Sequence, residues 1–454
     1  MQGIYISKGD TKNRGDNIRR IILKGLVGFF KKNQYSDAAL NNILSARDYD
    51  PRDAGFITRV FYGVIEKKLY IDHILAFLIE KNIQSLDGYV LNILRIGVYE
   101  LEFMDSVPPN ATCNECVEVI KSYNKKAAGF VNAVLRNFIR RSDAIHAEIE
   151  ALPLEDRLSV KYSVPVPLVR MWSEQYGAEV CEALLAESAN LPALTITANA
   201  LKISADALAE RFAAKGIECE RITDAPYGIR LLRDVPVIKT QEYEEGLFFV
   251  QDGASQLCAS ELEAKSGGVI IDMCAAPGGK SFYAALDMEN KGKILAFDLH
   301  ENKVKRINEG AERLGIGIIS AERGDSSVLR EELTGSADGV LCDAPCSGFG
   351  VLNKKPEIKY RDHGDFKERT DLQYSLLTTA SRYVKDGGIL VYSTCTLNKK
   401  ENEEITDRFL HENSSFKPGK FANDFPDAKG IKTFFPHKEK IDGFFLVKMI
   451  RYGV

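Results

Sequence analysis

Ile270-Ile271-Asp272-Met273-Cys274-Ala275-Ala276-Pro277-Gly278-Gly279-Lys280 lies inside an apolar run, Gly268 to Cys274, long enough for a buried parallel strand. The run breaks at Pro-Gly-Gly and resumes as a helix-like segment from Lys280 through Leu286. A strand that turns through glycines into a helix sets backbone N–H groups and a helix N-terminus at one edge of a sheet. In open α/β sheets that edge binds ligands. The spacing is neither Gly-x-Gly-x-x-Gly nor Gly-x-x-x-x-Gly-Lys-Ser/Thr. A nucleoside with a tail other than pyrophosphate is the better reading, and a nicotinamide oxidoreductase is excluded on the same ground.

Downstream, strands and helices alternate. Lys293–Asp298, Ile316–Ala321, Gly339–Ala344, Gly388–Thr394, Ile431–Phe435 and Gly443–Met449 read as strands, with a helix over Asn302–Leu314. This is the pattern of a doubly wound α/β fold. Acidic residues end successive strands: Asp298, Asp325 just past the third, and Asp343. A single such carboxylate reads as a helix cap. Three in register with the Pro-Gly-Gly turn fit a nucleoside cofactor, and S-adenosylmethionine (SAM) suits a site without a phosphate signature.

Upstream, residues 14 to about 145 carry apolar positions at helical spacing, such as Ile18, Ile21, Ile22, Leu26 and Phe29. Pro51, Gly55, Gly63, Asp87-Gly88, Pro108-Pro109 and Gly129 punctuate the run into six or seven helices. Residues 150–250 mix strand-like segments (Leu194–Leu201, Gly228–Leu232) with a helix over Ala205–Lys215, a small α+β connector. Trp172, the sole tryptophan, reads as a packing residue. The expected organisation is therefore a helical domain over 1–145, a connector over 150–250 and an α/β domain over 251–454.

The chain has 454 residues, 45% hydrophobic and 27% charged, which suits about three globular domains. It has no apolar run near the ~18 residues of a membrane span, and Met1–Asn13 lacks a signal-peptide core. A cytoplasmic protein without membrane partners is expected. Net charge is −4, yet residues 1–150 hold 21 basic against 18 acidic side chains, leaving 39 against 46 for the remainder. Lys121, Lys125, Lys126, Arg136, Arg140 and Arg141 face only Glu118 between 117 and 141. This is either a solvated helix face or a phosphate-contacting surface. Nine scattered cysteines in such a chain argue for reduced thiols. The lone Cys113-x-x-Cys116 pair lacks the partners of a zinc site, so no metal is expected.

Asp343-Ala344-Pro345-Cys346-Ser347-Gly348 and Ser393-Thr394-Cys395-Thr396 place two cysteines just past strand ends, on the ligand edge. Thiols at loop mouths motivate a nucleophile, whereas structural cysteines usually sit within elements. Beside SAM they suggest one reaction. C5 of a pyrimidine is too poor a nucleophile to take a methyl group directly. A thiolate adding at C6 makes it electron-rich, and a base must later remove the C5 proton.

These segments carry a resemblance. DMCAAPGGK, DAPCSGFG and STCT are similar to motifs I, IV and VI of the RNA 5-methylcytosine methyltransferases, a class I SAM-dependent Rossmann-like fold. VLNILRIGVYELEFMDSVPPNATCNECVEVIKSY (Val90–Tyr123) and GFVNAVLRNFIRR (Gly129–Arg141) resemble the NusB-type RNA-binding domain. With the connector, which resembles the N-terminal extension of such methyltransferases, the whole chain resembles the RsmB type, which methylates small-subunit ribosomal RNA. The resemblance implies Cys395 as nucleophile and Cys346 in product release. It implies Asp343 against the cytosine and Lys280 at the reaction centre. Cys274, Ala275, Ala276, Pro277, Gly278, Gly279, Lys280, Asp298, Asp325 and Asp343 would hold SAM, and Lys125, Lys126, Arg136 and Arg140 would contact RNA. Lys303, Lys305, Arg306, Lys354 and Lys355 could line the approach. Where the family carries an arginine two residues before Asn199, this chain has Thr197, so that arginine's RNA contact does not carry over. A monomer acting on unpaired or partly assembled RNA is expected. Two alternatives stay open: a methyltransferase of transfer RNA, and a non-catalytic assembly factor on a methyltransferase fold.

Overall fold

The computed structural model describes residues 17–453 apart from 33–34, 80–81, 191–192, 223, 234, 362–363, 365, 424 and 426–428; the Met1–Asn13 reading therefore lies outside it. The chain divides into two compact units, residues 1–173 with 355–361, and residues 174–354 with 362–454.

The first unit is helical: α1 (Ile18–Lys32), α2 (Ser36–Leu44), α3 (Pro51–Glu66), α4 (Lys68–Leu78), α5 (Gly88–Phe103), α6 (Pro109–Lys121) and α7 (Ala128–Glu150), followed by α8 (Leu154–Tyr162). α5 is buried at every position from Val90 to Glu100, so it is apolar nearly all round and forms the centre of the bundle. Its buried charges are paired. Arg95 donates to both Asp72 oxygens at 2.7 and 2.8 Å, and Glu100 accepts from Arg19 and from Thr112 Oγ1. Cys113 and Cys116 are fully buried within this core, as packing thiols. The turn Lys355–Arg361 belongs to this unit, where Glu357 accepts from Ser36 N and Oγ at 3.2 and 2.8 Å.

The second unit begins within α9 (Val166–Tyr176) and continues through α10 (Ala178–Glu187) into the connector. There β1 (Thr195–Ala198), α11 (Ala205–Ala214), β2 (Cys219–Arg221), β3 (Gly228–Leu231), the single turn α12 (Gln241–Glu244) and β4 (Phe248–Val250) make an antiparallel sheet in the order β2-β3-β1-β4. Next come α13 (Gly253–Ser260), β5 (Val269–Asp272), α14 (Gly279–Asp287), β6 (Lys293–Asp298), α15 (Glu301–Leu314), β7 (Ile319–Arg323) and β8 (Ala337–Asp343). The chain ends with α16 (Lys367–Tyr383), β9 (Val384–Thr394), α17 (Glu403–Glu412), β10 (Phe416–Pro418), β11 (Ile431–Phe434), α18 (Pro436–Glu439) and β12 (Phe444–Arg451).

The large sheet runs β10-β12-β9-β8-β5-β6-β7, with β11 paired to β12. β9, β8, β5, β6 and β7 are parallel, and β12 joins β9 antiparallel. Successive residues point to opposite faces: Ile270 enters one buried core and Ile271 the other. Both faces are thus covered, as a parallel sheet requires. The strand order reverses beside β5, so the carboxyl ends of β5 and β8 frame a topological switch point, where such folds bind ligands. The helical bundle, the α+β connector and the Rossmann-like domain expected from the sequence are all present.

Candidate active site

At the end of β5 the chain turns through Gly278, whose φ of 108° lies in the left-handed region. A Cβ there would also collide with the Phe282 ring, one turn into α14. Gly279 then opens α14, which places Lys280 in its first turn. The turn rims a cavity of about 150 Å³ lined by Val250, Gln251, Cys274, Pro277, Lys280 and Asp343, among others.

Lys280 is held by Asp343, the last residue of β8: Nζ to Oδ2 is 2.6 Å. The other Asp343 oxygen accepts from Ser393 Oγ on β9 at 2.7 Å. Buried Asp272, which also lines the cavity, accepts from Ser281 Oγ at 2.6 Å, and burial pushes its carboxyl up to about 6.

The two cysteines emerge from neighbouring parallel strands, in which Asp343 pairs with Ser393. Cys395 follows β9 directly and Cys346 stands three residues beyond β8. Their sulfurs are 3.3 Å apart and both residues are partly exposed. The hydrogen bond with Cys395 and then burial push the Cys346 thiol well up, and either sulfur can donate in that hydrogen bond. By contrast Cys258 is fully buried and pushed up to about 12 by burial, which suits packing rather than reaction.

Of the residues expected at a SAM site, Cys274, Ala275, Ala276, Pro277, Gly279, Lys280 and Asp343 line this cavity, and Gly278 shapes its turn. Asp298 ends β6 with Oδ1 accepting from His300 N at 3.1 Å, and Lys303 Nζ lies 3.5 Å from its other oxygen. Asp325 lies on a small adjoining pocket with Met273, Phe297 and Val328, held below the usual carboxylate range by Ser327 Oγ and N. Exposed Leu299 and Val328 flank this stretch, an apolar surface suited to an aromatic base. One further observation tests the fit. Gln251 is 6% exposed, lines the cavity, and its Nε2 has no hydrogen-bond partner. Thr197 Oγ1 donates to Gln251 Oε1 at 2.8 Å, which fixes the amide so that the free donor remains. A buried donor without an acceptor matches a ligand carrying a carboxylate, as SAM does.

Gln251 and Thr197 are residues to which sequence reasoning assigned no site role. Thr197 replaces a basic residue with a buried hydroxyl, a signal that its partner would lie inside the fold. Lys354, expected along the RNA approach, is instead spent on Asp252 and Asp442 at 2.8 and 2.7 Å. In the helical unit Lys125, Lys126, Arg136 and Arg140 are all exposed, Arg136 and Arg140 one turn apart on α7. Trp172 is 1% exposed, a packing residue. No group of three or more His, Cys, Asp or Glu side chains among the described residues could hold a metal ion, and none of their helices is long and apolar enough to cross a membrane.

Residues 259–450 match the family profile described as 16S rRNA methyltransferase RsmB/F. Residues 16–140 match the NusB family, and 164–238 the ferredoxin-like domain of RsmF/B-like methyltransferases. A Bacillus subtilis protein named probable ribosomal RNA small subunit methyltransferase B is 34% identical over 451 residues, covering 96% of this chain and 99% of its own. A Synechocystis protein of the same name is 29% identical over 430 residues, covering 92% and 96%. Among solved structures, that of PH0851 superposes with a TM-score of 0.79 at 27% identity, over 96% of this chain and all of its own.

Proposed function

We propose, for a chain that belongs to the RsmB/F family of SAM-dependent methyltransferases, methylation of cytosine C5 in small-subunit ribosomal RNA. The observation that carries this reading is the pair of thiols 3.3 Å apart on the sheet edge that also holds Lys280 and Asp343. An amino-group methyltransferase has no use for two juxtaposed sulfurs, whereas C5 chemistry needs a nucleophile and a separate group for release.

SAM supplies an electrophilic methyl group when bound, and the turn from Cys274 to Lys280, Asp298 and Asp325 are the residues to hold it. Cys395 is the nucleophile. Its sulfur bonds to C6, the C5–C6 π pair is displaced into the ring, and N3 takes up a proton. Each Asp343 oxygen keeps a lone pair beyond those used by Lys280 and Ser393, free to accept from the cytosine amino group. Lys280 holds that carboxylate in place. Once C5 carries the methyl group, its proton is removed, that C–H electron pair re-forms the C5–C6 double bond, the S–C6 bond breaks with its electron pair returning to Cys395, and N3 gives back the proton it took up; Cys346 assists this release. Overall, C5–H becomes C5–CH3 and one proton is lost. The exposed Lys125, Lys126, Arg136 and Arg140 are assigned to RNA phosphates, by analogy with the NusB family.

The test is transfer of label from methyl-labelled SAM to small-subunit RNA lacking its modifications, with the product nucleoside identified. 5-Methylcytidine at one position is expected. Absence of transfer, or a methyl group on another atom, overturns the reading; transfer to transfer RNA in its place overturns the substrate.

A further inference from the structure

Asn398-Lys399-Lys400-Glu401-Asn402-Glu403-Glu404 is a polar, charged run of the kind that normally faces solvent, yet Glu401 and Asn402 are both completely buried. Each spends its side chain on a different cysteine loop. Glu401 accepts from Ser347 N at 2.9 Å, Ser347 Oγ at 2.5 Å, Asn398 Nδ2 at 3.0 Å and Gln373 Nε2 at 3.1 Å. The same Gln373 amide donates to Pro345 O at 2.9 Å. The residues on either side of Cys346 are therefore fixed through Glu401.

Asn402 does the same for the other thiol. Its Oδ1 accepts from Thr394 Oγ1 at 2.5 Å and its Nδ2 donates to Thr396 O at 2.9 Å, the residues on either side of Cys395. Ser347 Oγ and Thr396 Oγ1, 2.7 Å apart, close the network. Two loops from different strands are thus clamped by adjacent residues. A buried carboxylate with so many donors is an expensive way to fill space, since an apolar side chain would cost less. What it supplies is a fixed geometry between the sulfurs.

We infer that Glu401 and Asn402 are positioning residues with divided tasks: Asn402 sets Cys395 for attack on the base, and Glu401 sets Cys346 for release. The inference rests on the cysteine chemistry proposed above. Each acts through the loop that carries one thiol, and the Glu401 charge also contributes to pushing the Cys346 thiol up. Displacement of a reacting group by about 1 Å can cost roughly a hundredfold in rate, so loosening either loop should expose the step it serves.

The full-length protein is incubated with SAM and unmodified small-subunit RNA, and covalent protein–RNA adduct is read on a denaturing gel. Cys346→Ala and Cys395→Ala serve as references for blocked release and blocked attack. Glu401→Gln turns an acceptor surrounded by four donors into a mixed amide, and adduct should accumulate roughly tenfold or more above wild type, as in Cys346→Ala. Asn402→Asp sets a carboxylate oxygen against Thr396 O, and adduct should be lost, as in Cys395→Ala. Ser347→Ala and Thr394→Val, which each remove one hydroxyl, should shift adduct in the same opposite directions and serve if the first pair fails to fold. Each variant's iodoacetamide labelling is followed by mass spectrometry. Glu401→Gln should change the rate at Cys346 by severalfold and Asn402→Asp that at Cys395. Equal effects of all variants on both thiols and on adduct overturn the inference. Failure of the cysteine reading itself shows separately, as no adduct in Cys346→Ala, and thiol labelling then decides the positioning roles alone.

Discussion

Lys280 Nζ lies 2.6 Å from Asp343 Oδ2, so one ion pair ties the glycine turn after β5 to the end of β8 across the topological switch point. Both side chains are largely buried. Burial works against the ammonium, but the Asp343 carboxylate more than offsets it and leaves the lysine's pKa raised. Lys280 is therefore a fixed positive charge at neutral pH rather than a base.

Replacing Lys280 by Met leaves the Asp343 carboxylate without its counter-charge on the sheet edge that carries the two thiols. Methyl transfer should fall by roughly a hundredfold or more, a loss on the scale of removing one preorganised electrostatic contact. Single-turnover rates at saturating SAM, with SAM affinity measured separately, make the check. An unchanged rate would reduce the pair to a structural strut.

The cysteines should separate by phenotype. Cys346→Ala should trap protein bonded to RNA, and Cys395→Ala should trap none, because in the proposed mechanism only the latter lacks the sulfur that bonds C6. Adduct in the Cys395 variant would reverse the two roles. A variant lacking both thiols should behave as Cys395→Ala.

Much of this architecture is legible in the residues, and the exceptions have physical causes. The strand Lys293–Asp298 is found as read. The next was expected at Ile316–Ala321 but forms at Ile319–Arg323. Ile316 is apolar for another reason: Gly315 adopts a left-handed turn, Ile316 N donates back to Ala311 O at 2.9 Å, and the side chain packs under the end of α15. β1 was expected over Leu194–Leu201 and forms at Thr195–Ala198, with all four residues buried because α11 and α13 contribute apolar and polar cover to its two faces.

The motif glycines and cysteines were visible because the chemistry restricts residue type there. At Gly350, within the Cys346 motif, the restriction is steric: a Cβ would collide with the Gly443 carbonyl. Glu401, Asn402 and Gln251 were invisible as site residues. Their roles depend on partners 54, 8 and 54 positions away, and a charged or amide side chain carries no local sign of burial.

In the helical unit, Arg95 and Asp72 form a buried two-point ion pair between α5 and α4. Arg95→Met should destabilise this unit by about 1–3 kcal/mol, since it removes two hydrogen bonds from a buried carboxylate and leaves it only Lys68, whose Nζ lies 2.9 Å from Asp72 Oδ2. Replacing both by apolar residues of similar volume should recover most of that. Hydrogen exchange at amides of α4 and α5 in the full chain gives the comparison. Equal protection in wild type and single variant would remove the pair from the account of stability.

Asp287 supplies a pH-dependent term of predictable sign. Burial pushes its carboxyl up to about 6 from 3.8, although Tyr227 OH donates to it at 3.0 Å. Its place at the C-terminus of α14 also disfavours a negative charge. A carboxyl whose pKa is raised on folding holds more protons in the native than in the unfolded state across that window. Its contribution is thus fully present below pH 3.8 and is lost as pH rises through about 6. Asp287→Asn keeps an acceptor for Tyr227 and cannot ionise. Relative to wild type it should gain nothing at the acid end and gain stability progressively through the window, reaching about 1–2 kcal/mol above pH 7 after allowance for partial solvent access. Thermal unfolding of both proteins across that pH range reads the difference. A gap that is constant with pH would show that Asp287 ionises normally in the folded chain, and one that widens toward acid would show its pKa lowered instead of raised.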